Sequence, residues 1–145
     1  DGVVPEPGTR SEPDLEQLAL IARQADRTAE HLEGFRFRLA LGEVMALARA
    51  SNGYLDLKRP WQQRKEDLAA CATTRNVCLQ TVRALATMMG PFLPFSAART
   101  AKMLRLPGET LPWAEVTEEL PEGHRLGEPE ILFRKLDPAE LFPDS

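Results

Sequence analysis

The chain has 145 residues, 43% hydrophobic and 28% charged, with 12 prolines, 9 glycines and a net charge of −4. That length supports one hydrophobic core and a single domain, and no apolar run approaches the ~18 residues of a membrane span or resembles a secretory leader. The charge is laid unevenly: residues 1–33 carry 3 basic and 8 acidic side chains, residues 34–106 carry 12 and 4, and residues 107–145 carry 3 and 10. A polyanion would be drawn to the middle segment.

Residues 1–13 hold three prolines and two glycines and read as an extended lead-in, on a chain that starts at Asp1 as a fragment would. Ser11 can cap a helix over roughly 14–32, with Leu15, Leu18, Ile21, Ala22, Ala25 and Ala29 on one face. Gly34 breaks it. A second helix follows over about 35–51, its stripe formed by Phe37, Leu41, Val44, Met45 and Ala48.

Next comes NGYLDLKRPWQQRK, residues 52–65. Gly53 is expected to end the helix before it, and Pro60 forbids a helix running through. Arg59, as a pre-proline residue, is biased to an extended backbone, so residues 54–59 are expected to form a strand-like link. Pro60 suits the first turn of a short helix, which sets Trp61 beside it, near Lys58, Arg59, Arg64 and Lys65. An aromatic plane ringed by cations suits stacking of an unpaired base. A core tryptophan with solvated loop charges nearby is the competing reading.

The longest pattern spans about 66–89, where Leu68, Cys71, Cys78, Leu79, Val82, Leu85 and Met89 form a stripe interrupted by Arg75. That arginine is expected to leave the core within reach of a carboxylate or carbonyl. Cys71 and Cys78 share one helix face and cannot pair with each other, which suggests reduced core residues and a cytoplasmic protein. Gly90-Pro91 ends the helix, and Pro94 permits a shorter one over about 95–105 in which Ala97, Ala98, Ala101 and Leu104 pack closely. Met88, Met89, Phe92, Leu93 and Phe95 suggest a core corner, and Trp113 a plug over the bundle end. Residues 120–145, including GHRLGEPEILFRKLD and a DPAELF turn, read as an ordered arm.

The whole predicts an all-α, up-and-down bundle of four to five helices over 14–119, with an extended C-terminal arm. No catalytic constellation is present: there is no glycine-rich phosphate loop, no nucleophile–His pairing and no metal-ligand spacing. No catalytic residue and no cofactor is expected in this chain.

Asn52-x-Tyr54, then Pro60-Trp61, then Lys65, followed by MMGPFLPFSA at 88–97 and GHRLGEPEILFRKLD at 123–137, resembles the anticodon-binding domain of the methionyl-tRNA synthetases. The three motifs and the helices between them extend the likeness over nearly the whole chain. It implies recognition of tRNA(Met) through the anticodon, with no membrane or DNA partner, on behalf of a catalytic domain absent from these residues. ATP and Mg2+, with zinc where a cysteine-rich knuckle is present, would belong to that domain, whose His-Ile-Gly-His and Lys-Met-Ser-Lys-Ser type motifs and knuckle do not occur here. By motif, Trp61 would stack on an unpaired anticodon base, while Asn52 and Tyr54 would shape the site and offer a polar base contact. Lys65 and Arg59 would meet phosphates. The arm would fold back toward the catalytic domain.

One departure stands out. The family's Asn and Arg readers, four apart on a helix preceding the segment that matches Asp1, have no counterpart here. A bundle lacking that helix would leave an apolar groove along the helices at about 35–51 and 66–89, covered by a lead-in or another molecule. Two other readings fit parts of the pattern. A free-standing helical interaction module explains the bundle and arm but not the joint spacing of Asn52, Tyr54, Pro60, Trp61 and Lys65. The anticodon domain of a related class I synthetase for another aliphatic amino acid shares the general design, but the Pro-Trp signature speaks for methionine.

Overall fold

A computed structural model describes residues 2–108 and 111–135. Four helices of ten residues or more build the bundle: α1 (Glu12–Glu33), α2 (Phe37–Lys58), α4 (Leu68–Met89) and α5 (Pro94–Met103). The short α3 (Pro60–Glu66) bridges α2 and α4, and a single 3-10 turn covers Trp113–Glu115. The all-α bundle expected from the sequence is what forms. The DPAELF turn expected at 137–142 lies outside the described residues.

Punctuation in the sequence sets most boundaries. Ser11 precedes α1, and its backbone N–H and hydroxyl both donate to the Asp14 carboxylate at 2.7 and 2.6 Å. Gly34 stops α1, Pro60 and Pro94 open α3 and α5, and Met89 is the last residue of α4 before Gly90-Pro91.

The expected break at Gly53 does not occur. α2 continues through Gly53 and Tyr54 to Lys58, so residues 54–58 are helical and no strand-like link exists. A helical glycine costs only about 1 kcal/mol, and tertiary bonds from Tyr54 and Lys58 hold this turn in place. The pre-proline restriction falls on Arg59 alone, which takes a left-handed conformation (φ 48°, ψ 60°) in place of an extended one. One residue therefore makes the whole bend into α3.

The core gathers Ile21 and Ala25 of α1, Val44 and Leu47 of α2, and Ala84 and Met88 of α4, with Val116 beneath. Trp113 packs against this cluster as a plug, as expected. Leu15 on α1 and Phe37, Leu41 and Met45 on α2 were expected inside and are exposed, as are Leu68 and Val82 on α4 and Leu93 and Phe95 at the corner. The α2 and α4 stripes were each assigned partly to the wrong face. On α4 the buried positions Thr73, Asn76, Gln80, Arg83 and Thr87, three and four residues apart, form a polar seam.

That seam binds backbone. Thr73 Oγ1 accepts from Gly8 N–H at 2.8 Å, and Asn76 Nδ2 donates to Pro5 O at 2.9 Å. Gln80 grips Leu120 twice, accepting from its N–H at 2.6 Å and donating to its carbonyl at 3.1 Å. Arg83 donates to the carbonyls of Glu115 and Glu118. Segments with no ladder of their own thus have their polar backbone satisfied by one helix.

The lead-in runs beside residues 123–126, with Val4 N–H donating to His124 O and Leu126 N–H to Gly2 O. The arm then crosses α5, where Gly127 N–H donates to Met103 O at 2.7 Å and Arg99 holds Glu130 and the carbonyls of Ile131 and Leu132. A Cβ at Gly127 would sit 3.0 Å from Lys102 O and 3.3 Å from Met103 O, both backbone atoms that cannot yield cheaply. Gly127→Ala is therefore expected to cost about 1–3 kcal/mol, read from the shift in denaturant midpoint at unchanged slope.

The lead-in lies on the polar seam of α4, and none of its residues lines the space between α2 and the apolar side of α4. An apolar furrow between α2 and α4 is consequently open. One stretch, about 230 Å³, is lined by Ala48, Asn52 and Leu55 from α2 and Cys78, Val82 and Leu85 from α4. Further along, Phe37, Leu41 and Met45 face Pro91, Phe92 and Leu93. A furrow was expected along these two helices with the lead-in or another molecule over it. It lies along α2, facing α4 and the corner after it, but the lead-in does not cover it and no segment of the described residues is seated in it.

Candidate nucleic-acid interface

Trp61 stands on the first turn of α3, a helix with no buried residue, and is 55% exposed. Its backbone is well fixed. Arg59 takes a left-handed conformation, Pro60 has a locked φ, and the Pro60 carbonyl lies 3.5 Å from Cys71 Sγ on α4. Arg64 and Lys65, three and four residues on, share the helix face of the indole, and Arg59 immediately precedes it. All three cations are exposed, and among the described residues no acidic side chain lies within salt-bridge distance of any of them. The arrangement is a flat aromatic surface edged by free positive charge.

Two residues assigned to this surface from sequence are elsewhere. Lys58 does not ring the tryptophan: its side chain is only 14% exposed and turns inward to Asp14, 2.9 Å away. Tyr54 is 6% exposed, with its hydroxyl donating to Asp14 Oδ1 at 2.6 Å, so it cannot offer a polar contact to a base. Both follow from one cause, a buried carboxylate on α1 that needs donors. Asn52 is exposed on the rim of the furrow, on the same stretch of α2.

Asp14 was not visible as a functional candidate. An acidic residue three positions after a serine at a helix start reads as a cap, and it is one, yet it is also 1% exposed. Burial pushes its carboxyl upward, but donation from Ser11, Tyr54 and Lys58 outweighs this and holds it at about 2. The Tyr54 hydroxyl is pushed well above its ordinary value, first by burial and then by its bond to Asp14. Burial likewise raises the Cys78 thiol to about 11, which leaves it an unreactive lining of the furrow.

Arg75, expected to leave the core and find a partner, does the first only. It is exposed on the α4 face that carries Leu68 and Val82, and no carboxylate or carbonyl reaches it among the described residues. No helix is long and apolar enough to cross a membrane, and no cluster of His, Cys, Asp and Glu among the described residues could hold a metal.

Comparison with known proteins decides the family. The family described as the anticodon binding domain of methionyl tRNA ligase matches residues 4–142. The chain belongs to that family. Over 142 residues it is 42% identical to the methionine–tRNA ligase of Pyrococcus abyssi, covering 98% of this chain and 19% of that protein. The methionine–tRNA ligase of Flavobacterium johnsoniae is 33% identical over 169 residues, covering 97% of this chain and 24% of its own length. The anticodon-binding domain described here thus spans about a fifth of the length of the relatives it matches. Among solved structures, the apo form of Mycobacterium tuberculosis methionyl-tRNA synthetase superposes with a TM-score of 0.90 at 29% identity, over 95% of this chain and 29% of that one. The same enzyme with methionyl-adenylate gives 0.87 over 92% of this chain. The domain keeps its bundle across these sequences, and the motif carrying Pro60 and Trp61 sits on its bend between α2 and α4.

Proposed function

We propose that this domain recognises tRNA(Met) through the anticodon, placing it for ATP-dependent methionylation by a catalytic domain of the same polypeptide. The observation that carries the reading is Trp61, exposed on a fixed helix start with Arg59, Arg64 and Lys65 free around it. An unstacked anticodon base lies on the indole, and the three cations meet the phosphates on either side of it. Asn52 on the rim of the furrow contacts or shapes the site of a neighbouring base. ATP and Mg2+, with zinc where the catalytic domain holds a knuckle, act away from this domain. The arm, pinned to α5 by Arg99 and exposing Ile131 and Phe133, is the surface assigned to the catalytic domain. The protein works in the cytoplasm, where tRNA is charged.

The test is binding of the full-length ligase to an anticodon stem-loop with the methionine anticodon and to one with that triplet replaced. Tighter binding of the first supports the reading, and equal binding overturns it. The cations make a separate expectation. Changing Arg59, Arg64 or Lys65 singly to Gln is expected to weaken both stem-loops alike and to reduce the slope of log affinity against log salt by about 0.7 per residue. A change that depends on the triplet would mean that the residue reads bases.

A further inference from the structure

α3 has seven residues, none buried, yet it must present Trp61 in one orientation to be useful as a stacking surface. It rests on α4, where Cys71 Sγ lies 3.5 Å from the Pro60 carbonyl, and its setting relative to α2 is fixed at its N-terminal end. At the N-terminal end lies α2, whose last turns carry Tyr54 and Lys58, four apart and on one face. Both reach the same carboxylate on α1. Asp14 Oδ1 accepts from Tyr54 at 2.6 Å and lies 2.9 Å from Lys58 Nζ, which also donates to Oδ2 at 3.1 Å. Ser11 fills the remaining capacity with its N–H and its hydroxyl, and that hydroxyl in turn accepts from Lys58 at 2.9 Å.

Adhesion between α1 and α2 does not require this cluster, because Ile21, Ala25, Val44 and Leu47 already pack between the helices. Apolar residues of similar volume would hold the helix ends at least as firmly as a buried ion pair. What directional bonds add is a fixed rotation and register for the last turn of α2. From Lys58 the chain reaches Trp61 through only Arg59 and Pro60, both restricted in their backbone angles. A rotation of the Lys58 turn therefore bears directly on the first turn of α3, whose other support is the Cys71 contact on α4, and so on the indole.

We infer that Asp14, Tyr54 and Lys58 are positioning residues for Trp61, fixing the end of α2 so that the indole is set for the incoming base before tRNA arrives. The inference rests on the reading of Trp61 as the stacking surface. It places two residues with no RNA contact, and one on another helix, within the recognition machinery.

The test uses the full-length ligase with Tyr54→Phe and Lys58→Met, each made alone and each combined with Trp61→Ala, assayed below the unfolding midpoint of every variant. With Trp61 present, the Lys58→Met and Tyr54→Phe variants are expected to raise KM for tRNA by about 2- to 30-fold, with methionine activation unchanged. On the Trp61→Ala background the same changes are expected to have no further effect, because the group they position is gone. A merely structural role would lower activity equally on both backgrounds, and that result overturns the inference. So does an unchanged KM in both variants when Trp61→Ala alone is impaired. If Trp61→Ala itself leaves tRNA use unaffected, the stacking reading fails first, and the inference with it.

Discussion

Trp61→Ala in the full-length ligase is expected to lower the efficiency of tRNA methionylation by about 5- to 150-fold, since stacking of one base on an aromatic ring is worth roughly 1–3 kcal/mol. Methionine activation with ATP alone should be unchanged, because the indole sits on the short bridge of the anticodon-binding domain. The loss is expected in kcat/KM for tRNA and to be nearly the same at low and high salt, since stacking releases no counterion. Trp61→Phe should recover much of the loss and Trp61→Leu little, because a flat π-face is required and apolar bulk is not sufficient. The exposure of the ring makes the test clean. At 55% accessible and outside the core cluster, it can be truncated without opening a cavity. A parallel fall of activation and methionylation would mean that the substitution damages the fold, and the anticodon assignment of this residue would be lost.

The sequence carries the helices of this domain better than it carries their faces. Ser11, Gly34, Pro60, Gly90-Pro91 and Pro94 act on the backbone within a few residues of themselves, so the ends they impose are local and readable. Gly53 is the exception, and its cause is distant: the turn after it is anchored to Asp14, 40 residues earlier in the chain. The face of α4 was unreadable for a related reason. Hydrophobic periodicity assigns burial to apolar side chains, but five of the twelve buried residues of α4 form a seam of Thr, Asn, Gln and Arg. Those residues are buried because irregular segments need donors and acceptors, and no local pattern encodes where such segments will lie. The apolar residues displaced from the interior, Val82 on α4 and Phe37, Leu41 and Met45 on α2, then line the open furrow. At the candidate site, the motif singled out Trp61 and Lys65, and charge near the tryptophan added the exposed Arg59 and Arg64 but also Lys58, which turns inward. A lysine is usually solvated, and only the buried carboxylate reverses that default.

Asp14→Ala is expected to be among the most destabilising single changes in the domain, costing about 3–5 kcal/mol at neutral pH. The reason is asymmetry. Removing the carboxylate leaves the ammonium of Lys58, with its side chain only 14% exposed, without its counter-charge and leaves the buried Tyr54 hydroxyl without an acceptor. Asp14→Asn keeps an acceptor for Tyr54 but not the charge, and should fall between the two. Combining Asp14→Leu with Lys58→Met and Tyr54→Phe should recover most of the stability, because an apolar cluster of similar size carries no desolvation penalty and leaves no buried hydroxyl unpaired. The pH dependence has a definite sign. The folded state holds the Asp14 carboxyl at about 2, against an ordinary value of 3.8, so folding favours the ionised form. That shift contributes about 2 kcal/mol of stability, fully present above pH 3.8 and lost as the pH falls from there toward 2. The gap in unfolding free energy between the native domain and Asp14→Ala should therefore be constant near neutrality and narrow across that acid window. Urea titrations of both proteins at pH 7, 4 and 2.5 measure it. A gap that stayed the same at all three would show that the carboxylate gains nothing from being ionised in its cluster, and that packing alone joins the end of α2 to α1.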